Sequence, residues 1–391
     1  MITVEQALVL TASTIQKTEA VDTITISKAL GYVLAKDILS PIDMPPFRQS
    51  AMDGYALGST TEKTFTLIGE VKAGDNTDPE LKPDEAIRIF TGAPVPSGAK
   101  AVIMQEKVKI QNNKVLLQES VVPNANIRPI GEQIQKQETA LQQGCIITAA
   151  GIGYLASLGI THIDVYKKPS IAIIATGNEL VPPGQTLKHG EIYESNSIMF
   201  SAALAKNGFT DISYFKVEDT YDITLSLLEN TIQLYDVVLI SGGISVGDYD
   251  FVGKALRALQ VEEIFYKVKQ KPGKPLYFAK KSGTTIFALP GNPASSLSCF
   301  YIYVLPALLK ISGQTNCDLK RSTATATNTY SKKGERAEFL KALIQKDTVT
   351  ILDGQASSML RSFAMANAMV YLPEEITEVN IGDTIQVIHL P

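Results

Sequence analysis

The sequence predicts a multidomain α/β plus β protein. A three-layer α/β domain with a parallel-rich sheet is expected beside an inserted all-β domain, a small helical N-terminal domain and a C-terminal β-barrel. Residues 167–312 alternate buried strand patterns with amphipathic helix patterns, which is typical of a parallel sheet with helices on both faces. Residues 65–122, and the chain from about 311 onward, show short alternating strands instead. A chain of 391 residues is also too long for one ordinary core.

The first 166 residues predict two small domains. Residues 3–16 fit an amphipathic helix that begins with a capping box, and residues 148–159 fit a second capped helix. Between them lie short strands separated by turn signals, including Asn112-Asn113, which suits a tight hairpin. We therefore expect an elongated N-terminal domain over residues 1–42 and 134–166, interrupted by a β domain over residues 43–133.

The remainder of the chain predicts the α/β domain and the C-terminal domain. Four strand patterns, IAIIA, DISYFKV, DVVLIS and TTIFALP, are separated by helix patterns over residues 167–312. Alternation returns over residues 313–391, with one short helical piece near 358–367. We expect a C-terminal β-barrel there, with a β-sandwich as the alternative.

Three loops of the predicted α/β domain each follow a buried strand. They are TGNELVPPG, SGGISVGDYD and PGNPASS, and they begin after Ala175, Ile240 and Leu289. Because the carboxyl ends of parallel strands meet at one edge of the sheet, we expect these loops to surround one site.

The chemistry of these loops favours a phosphorylated ligand and a metal ion. Gly242-Gly243 permits positive φ and a close approach of an oxyanion to the backbone. The acids Glu179, Asp219, Asp248 and Asp250 fall at or just after strand ends, and carboxylate oxygens suit Mg²⁺. The alternative is a set of helix caps and solvated loop acids.

Two further features favour anion binding at the same edge. Lysines 267, 269, 271 and 274 surround the Pro272-Gly273 turn and can neutralise phosphate, although they also fit an exposed charged face. The segment PGNPASS predicts a helix start capped by Asn292, with Ser295 and Ser296 in its first turn. A helix N-terminus of this kind also attracts anions.

Composition excludes several classes of protein. The net charge of −4 and pI of about 5.6 give no general attraction to nucleic acid or to an acidic membrane surface. Three scattered cysteines argue against a disulfide framework, and three scattered histidines give no zinc spacing. The N-terminus lacks a basic region, and no apolar run approaches the ~18 residues of a membrane span. We expect a soluble, cytoplasmic protein.

Seven motifs, in one order along almost the whole chain, add a family resemblance. They are SAMDGYA, TGAP, NIRP-GE, ATGNEL, SGGISVGDYD, KPGKP and LPGNPAS. The set resembles the MoeA family of molybdopterin molybdenumtransferases, which are related to the gephyrin E domain. The resemblance implies an L-shaped four-domain homodimer whose MogA-like α/β domain binds adenylylated molybdopterin. It further implies insertion of molybdate into the pterin dithiolene with release of AMP, a requirement for Mg²⁺, and contacts with a MogA-like adenylyltransferase and molybdoenzyme chaperones.

The resemblance also implies roles for individual residues. The acidic face of the pocket and its metal ligands are Glu179, Asp219 and Asp250, and its basic wall is Lys267 and Lys271. The residues that line the nucleotide or pterin phosphates are Gly242, Gly243, Ser245, Pro290, Pro293 and Ser295. Those expected to reach the pocket of the other subunit are Asp53, Thr91 and Arg128 of the inserted domain and Ser357 of the C-terminal domain. Dimerisation thus completes the active site.

One position departs from the family pattern. The family usually reads Gly-Glu-Asp after the arginine motif, whereas this chain reads Gly131-Glu132-Gln133. An amide accepts hydrogen bonds but supplies no charge to a cation. This leaves an alternative, a catalytically weak carrier of molybdopterin or a scaffold protein. A general nucleotide-binding enzyme resembling CinA is a third reading, and the order of the motifs argues against it.

Overall fold

The computed structural model describes residues 1–244 and 251–391, which form two compact units. One unit comprises residues 1–22, 31–33 and 166–391, and the other comprises residues 23–30 and 34–165. The first unit contains the predicted α/β and C-terminal domains, and the second contains the predicted β insertion.

A six-stranded sheet forms the centre of the first unit. Its strands are Ile171–Thr176 (β1), Ile212–Val217 (β2), Val237–Ser241 (β3), Glu262–Tyr266 (β4), Tyr277–Lys281 (β5) and Thr284–Leu289 (β6). Their spatial order is β2-β1-β3-β6-β5-β4. The first four are parallel to one another, and β5 and β4 complete the sheet in antiparallel fashion. The predicted parallel-rich sheet is therefore confirmed.

Helices cover both faces of this sheet. They are Asn196–Lys206 (α1), Tyr221–Leu234 (α2), Phe251–Ala258 (α3) and Pro293–Cys299 (α4), and α4 continues through a π-helical turn, Phe300–Val304, into the helix Leu305–Ile311. Alternate residues of β1 enter two different hydrophobic clusters, because successive side chains of a strand point to opposite faces. One cluster includes α1 and α4, and the other includes α2 and α3. This gives the three layers that the alternating pattern predicts.

The continuous helical run Pro293–Ile311 corrects one expectation from the sequence. By length and composition alone it can cross a membrane, contrary to the prediction that no segment approaches that size. Two thirds of it (67%) is buried inside the protein, in the same hydrophobic cluster as β1 and β6. Apolar residues on all sides of a helix are also what burial in a core requires, and here they serve that purpose.

The C-terminal domain is a closed five-stranded barrel. Its strands follow one another around the barrel in the order Ala337–Gln345, Thr348–Ile351, Arg321–Ala326, Thr384–His389, Ala368–Leu372 and back to Ala337–Gln345. Leu340 and Ala342 enter the barrel core, whereas Phe339 belongs to the hydrophobic cluster of the α/β layer. Closure confirms the barrel and excludes the sandwich. The predicted short helical piece is the helix Leu360–Met365.

The remaining short elements of this unit connect these parts. The helix Val4–Thr14 has the predicted capping box between Thr3 and Gln6. It contributes Val4 and Ala7 to the hydrophobic cluster of the α/β layer. The paired short strands are Leu180–Val181 with Ile192–Tyr193, Gln270–Lys271 with the start of Ala337–Gln345, and Tyr330–Ser331 with Glu378–Val379.

The second unit is built on another six-stranded sheet. Its strands lie in the order Ala101–Met104, Gly54–Leu57, Glu85–Ile89, Thr64–Val71, Lys114–Leu117 and Val108–Gln111. Asn112 and Asn113 both have positive φ, as a tight hairpin requires, so that prediction is confirmed. The helix Ala149–Ser157 is capped by Thr148, also as predicted. Further strands are Ile38–Leu39, Gln49–Ser50, Ile127–Arg128 and Thr139–Leu141, together with Val21–Thr25 and His162–Tyr166; short 3₁₀ turns are Ile26–Lys28 and Gln105–Lys107.

Candidate active site

The predicted convergence of three strand ends is confirmed by the register of the sheet. Ala175 of β1 pairs with Ser241 of β3, and Ser241 pairs with Leu289 of β6. The loops that follow these strands therefore leave the sheet side by side at its carboxyl edge.

A cavity of about 810 Å³ lies at this edge. This is within the 300–1,000 Å³ typical of small-molecule sites. The predicted residues in its lining are Glu179, Asp219, Gly242, Gly243, Pro290 and Pro293. Other lining residues include Thr176, Glu194, Asn196, Pro275, Asn292 and Ser358.

The backbone conformation and the neighbouring atoms both require glycine at the two positions after β3. Gly242 and Gly243 have φ of 94° and 63°. A Cβ on Gly242 would lie 2.9 Å from both the carbonyl oxygen and the Oγ1 of Thr176. A Cβ on Gly243 would lie 2.6 Å from Cγ2 of Val252. The Gly242 N–H donates to the Leu289 carbonyl at 3.2 Å, so this amide ties two of the loops together and is already used.

Asn196 ties the same two loops together and leaves one oxygen without a partner. Its Nδ2 donates to Ser241 Oγ at 2.7 Å and to the Gly291 carbonyl at 2.8 Å, which fixes the orientation of the amide. Within the described residues, the buried Asn196 Oδ1 has no hydrogen-bond partner, and neither has the buried Thr176 Oγ1. Both residues line the cavity. Buried polar atoms without partners are costly and rare, and two of them beside one cavity indicate a place for ligand hydrogen bonds.

The start of α4 differs from its prediction in one respect. Asn292 occupies the N-cap position without a side-chain capping bond. Its Nδ2 donates instead to Ser357 Oγ of the C-terminal domain at 3.0 Å, and the Ser295 N–H donates to the Ser357 carbonyl at 3.2 Å. Ser357 thus covers the helix start of its own chain, and the Ser295 amide is not available to an anion.

The charge of the cavity lining is negative. Glu179, Asp219 and the unpredicted Glu194 line it, and no lysine or arginine is found among its described lining residues. Glu194 is buried and accepts hydrogen bonds from the backbone and the hydroxyl of Ser197. The Asp219 N–H donates to Asn178 Oδ1 at 3.0 Å, which holds the loops after β1 and β2 together.

The predicted basic wall is not part of this lining. Lys271 Nζ lies 3.0 Å from Glu338 Oε1, a fully buried carboxylate of the barrel. Lys267 Nζ lies 4.7 Å from the centre of the Tyr266 ring. The short strand Gln270–Lys271 pairs with the barrel strand Ala337–Gln345, and this pairing draws the lysine segment toward the barrel.

Three predicted residues, Ser245, Asp248 and Asp250, lie outside the described residues. The proposed metal ligand set is therefore represented here by Glu179 and Asp219. Over residues 1–244 and 251–391, no group of three histidine, cysteine or acidic side chains is close enough to hold a metal ion.

Three other predicted residues belong to the second unit. Asp53 Oδ1 accepts hydrogen bonds from both the backbone N–H and the hydroxyl of Thr91, each at 2.7 Å. These two bonds, the backbone one first, hold the pKa of Asp53 below its usual value. Arg128 donates to Gln49 Oε1 at 3.4 Å. Asp53 and Thr91 thus form one small polar cluster.

Sequence reasoning assigned no binding role to Thr176, Glu194, Asn196 or Asn292. Thr176 lies inside the motif ATGNEL, but a threonine that ends a strand usually needs no explanation beyond its β propensity. Asn196 was expected only as a helix cap. The signal that distinguishes Thr176 and Asn196, a buried oxygen without a hydrogen-bond partner, exists only in three dimensions.

Comparisons with known proteins agree with the fold. Residues 2–159 match the MoeA N-terminal region (domain I and II), residues 172–310 match a probable molybdopterin binding domain, and residues 323–390 match the MoeA C-terminal region (domain IV). A molybdopterin biosynthesis MoeA protein from Pyrococcus horikoshii OT3 superposes with a TM-score of 0.84 at 30% identity, and the match covers 100% of both chains.

Curated relatives match over nearly the same length. A molybdopterin molybdenumtransferase of Haemophilus influenzae is 34% identical over 375 residues, which is 93% of this chain and 92% of the relative. Molybdopterin molybdenumtransferase 2 of Mycobacterium tuberculosis is 33% identical over 382 residues, 93% of this chain and 94% of the relative. With the three domain matches in the expected order, this chain belongs to the MoeA family.

Proposed function

We propose that this protein is a transferase that inserts molybdenum into adenylylated molybdopterin and releases AMP, the final step of molybdenum cofactor biosynthesis. The observation that carries the proposal is the cavity at the carboxyl edge of the parallel sheet, in a chain of the MoeA family. In the reaction water adds across the adenylyl–phosphate bond as AMP leaves. Molybdate gives up one oxide, which departs as water with the two thiol protons, as molybdenum bonds the two pterin sulfurs. Such chemistry depends on positioning and charge neutralisation more than on a protein nucleophile.

The carboxylates of the lining support a requirement for Mg²⁺. A phosphorylated substrate is anionic, and Glu179, Glu194 and Asp219 would repel it. Residues 245–250 add two aspartates and no lysine or arginine by sequence. Mg²⁺ commonly binds one or two carboxylates together with water and substrate phosphate, and it supplies the charge neutralisation that phosphoryl chemistry needs. Glu179 and Asp219 fit this donor set, and we infer that they hold the ion together with Asp250.

The unpartnered oxygens support the idea that different parts of the cavity bind different groups of the substrate. Thr176 Oγ1 and Asn196 Oδ1 can accept hydrogen bonds from ligand N–H or O–H groups, and an amide oxygen repels phosphate. We infer that they face a hydroxyl or ring N–H of the substrate. Gly242 and Gly243 give the phosphates room to approach the backbone.

We further infer that the active protein is a homodimer. The anionic substrate needs cationic partners, which the described lining lacks, and Arg128 offers one from the second unit. In this proposal Asp53, Thr91 and Arg128 reach the cavity of the other subunit. The proposed setting is the cytoplasm, where the protein receives substrate from a MogA-like adenylyltransferase and passes product to molybdoenzyme chaperones.

The test mixes purified protein with adenylylated molybdopterin, Mg²⁺ and molybdate, and AMP is measured by chromatography. We expect AMP release that depends on molybdate and on Mg²⁺. Asp219→Asn should raise the Mg²⁺ concentration needed for half-maximal release at least tenfold, because even residues that only orient metal ligands cost 10- to 100-fold in affinity.

Asp211→Asn is the matched control. Asp211 immediately precedes β2 and Asp219 follows it, so the two aspartates lie at opposite ends of the same strand. Asp211→Asn should leave the Mg²⁺ dependence unchanged. Tight binding of adenylylated molybdopterin without AMP release would contradict the transferase proposal.

A further inference from the structure

The loop of residues 352–359 brings the barrel to the candidate active site. Its Ser357 hydrogen-bonds Asn292 and Ser295 at the start of α4, and Ser358 lines the cavity. The loop has no regular structure of its own, because it lies between the strand Thr348–Ile351 and the helix Leu360–Met365. Its conformation must therefore be held from outside.

One buried lysine holds most of this loop. Lys341, on the barrel strand Ala337–Gln345, is only 1% exposed. Its ammonium donates to the carbonyl oxygens of Gly354, Ala356 and Met359 at 2.7, 3.2 and 3.4 Å. These three bonds use the full donor capacity of an ammonium group.

The backbone of the same lysine holds the loop a second time. Its N–H donates to Gln355 Oε1 at 3.0 Å, and its carbonyl accepts from Gln355 Nε2 at 2.8 Å. Ser362 Oγ adds a bond of 2.7 Å to the Gly354 carbonyl. The ammonium is thus the centre of a network that holds the residues on both sides of Ser357.

Charged neighbours do not explain the position of this ammonium. The flanking strands Thr348–Ile351 and Ala368–Leu372 carry no charged residue, and Glu338 on its own strand is occupied by Lys271. Asp353 and Arg361 lie on the loop and the following helix, and within the described residues neither pairs with Lys341. A buried charge needs compensation, and here three carbonyl dipoles provide it.

We propose that Lys341 is a positioning residue, which holds the loop of residues 352–359 so that Ser357 and Ser358 complete the cavity at the start of α4. The proposal rests on the proposed transferase function for its activity readout. A charge-assisted hydrogen bond is about twice as strong as a neutral one, so the ammonium is a strong donor to the three loop carbonyls.

The buried ammonium also gives the protein a pH signature in its stability. Burial lowers the pKa of Lys341 to about 8 from its ordinary 10.5. Between about pH 8 and 10.5 the unfolded chain binds more protons at this lysine than the folded one, so the free energy of unfolding rises with pH.

The experiment compares Lys341→Met with Lys332→Met. Lys332 is also buried in the C-terminal domain, and its ammonium donates to the carbonyls of Pro373 and Glu374 at 2.8 and 2.7 Å. Neither carbonyl belongs to the loop of residues 352–359. We expect Lys341→Met to lower the rate of AMP release roughly 10- to 100-fold, the scale of a small misplacement of a site. It should also remove the rise in the free energy of unfolding between about pH 8 and 10.5. Lys332→Met should retain both the rate and that rise.

Hydrogen exchange provides a readout that does not depend on activity. Peptides covering residues 352–360 and the Ser295 amide should exchange faster in Lys341→Met than in wild type or Lys332→Met, and Lys341→Arg, which keeps the charge, should restore slow exchange. Unchanged exchange and an unchanged rate of AMP release in Lys341→Met would overturn the positioning role. If wild type releases no AMP, the transferase proposal fails, while the exchange comparison still tests whether Lys341 holds the loop.

Discussion

Replacing Thr176 by valine tests whether its unpartnered hydroxyl serves a ligand. Valine has nearly the same shape and removes only the hydroxyl. A buried polar group without a partner costs about 1–3 kcal/mol, so Thr176→Val should leave the free energy of unfolding unchanged or raise it by about 1 kcal/mol. If the ligand satisfies the hydroxyl, the same change loses about 0.5–1.5 kcal/mol of binding, or roughly 2- to 13-fold in Kd.

Thr284→Val is the matched control in the same sheet. Thr284 begins β6 at the opposite edge, is equally buried, and donates to the carbonyls of Ile232 and Tyr235 at 2.7 and 3.0 Å. Its replacement removes satisfied bonds, so it should lower the free energy of unfolding by about 1 kcal/mol and leave binding unchanged.

Two measurements give the two quantities. Denaturant or thermal unfolding gives the stability change, and titration with adenylylated molybdopterin and Mg²⁺ gives the Kd. Higher stability with weaker binding is the combination expected only of a polar group kept for a ligand. If Thr176→Val is destabilised as much as Thr284→Val, or binds the substrate as tightly as wild type, the reasoning is refuted.

Three further predictions concern other parts of the site. Gly242→Ala should lower the free energy of unfolding by at least 1 kcal/mol more than Gly283→Ala in denaturant titrations. Both glycines have φ of 94°, but of the two only Gly242 has backbone within 3 Å of an added Cβ. Equal losses would mean that the turn shifts to make room for the Cβ. Thr91→Val should raise the pKa of Asp53 toward its usual value, measured by NMR titration, because it removes one of the two hydrogen bonds to the ionised carboxylate; an unchanged pKa would mean that the backbone bond suffices. Gln133→Asp should give equal or faster AMP release, because it restores the charge that the family pattern has at this position; a slower rate would show a site rebuilt around the amide.

Local patterns predicted the sheet and the edge at which the site lies. Buried runs such as IAIIA and DVVLIS belong to central parallel strands because both of their faces must be covered, and the loops after them then share one edge. The glycine pair after Ser241 carries its own signal, since few other residues tolerate positive φ there. These inferences depend only on residues close together in sequence.

The pairing of the lysines could not be predicted in this way. Lys271 pairs with Glu338, 67 residues further along the chain. A run of lysines in the sequence suggests the wall of the nearest pocket. The carboxylate that pairs with Lys271 lies instead on a strand of the C-terminal barrel. The Asn292 side chain shows the same effect, because a residue suited to capping its own helix hydrogen-bonds Ser357 instead, 65 residues away. At both positions a partner distant in sequence replaces the role that the local sequence suggests.

The position of Ser357 also decides which element of the site can bind phosphate. A free N-terminus of α4 would attract an anion through its unpaired amides. The Ser357 carbonyl already accepts the Ser295 N–H, and the Asn292 carbonyl accepts the Ser296 N–H, so these two amides are used within the chain. With an acidic lining and these amides in use, the glycine turn after β3 is the part of the described lining that gives phosphate room to approach the backbone. If the proposed Mg²⁺ is bound, Glu179 and Asp219 would hold it, and it would neutralise substrate phosphates near this turn.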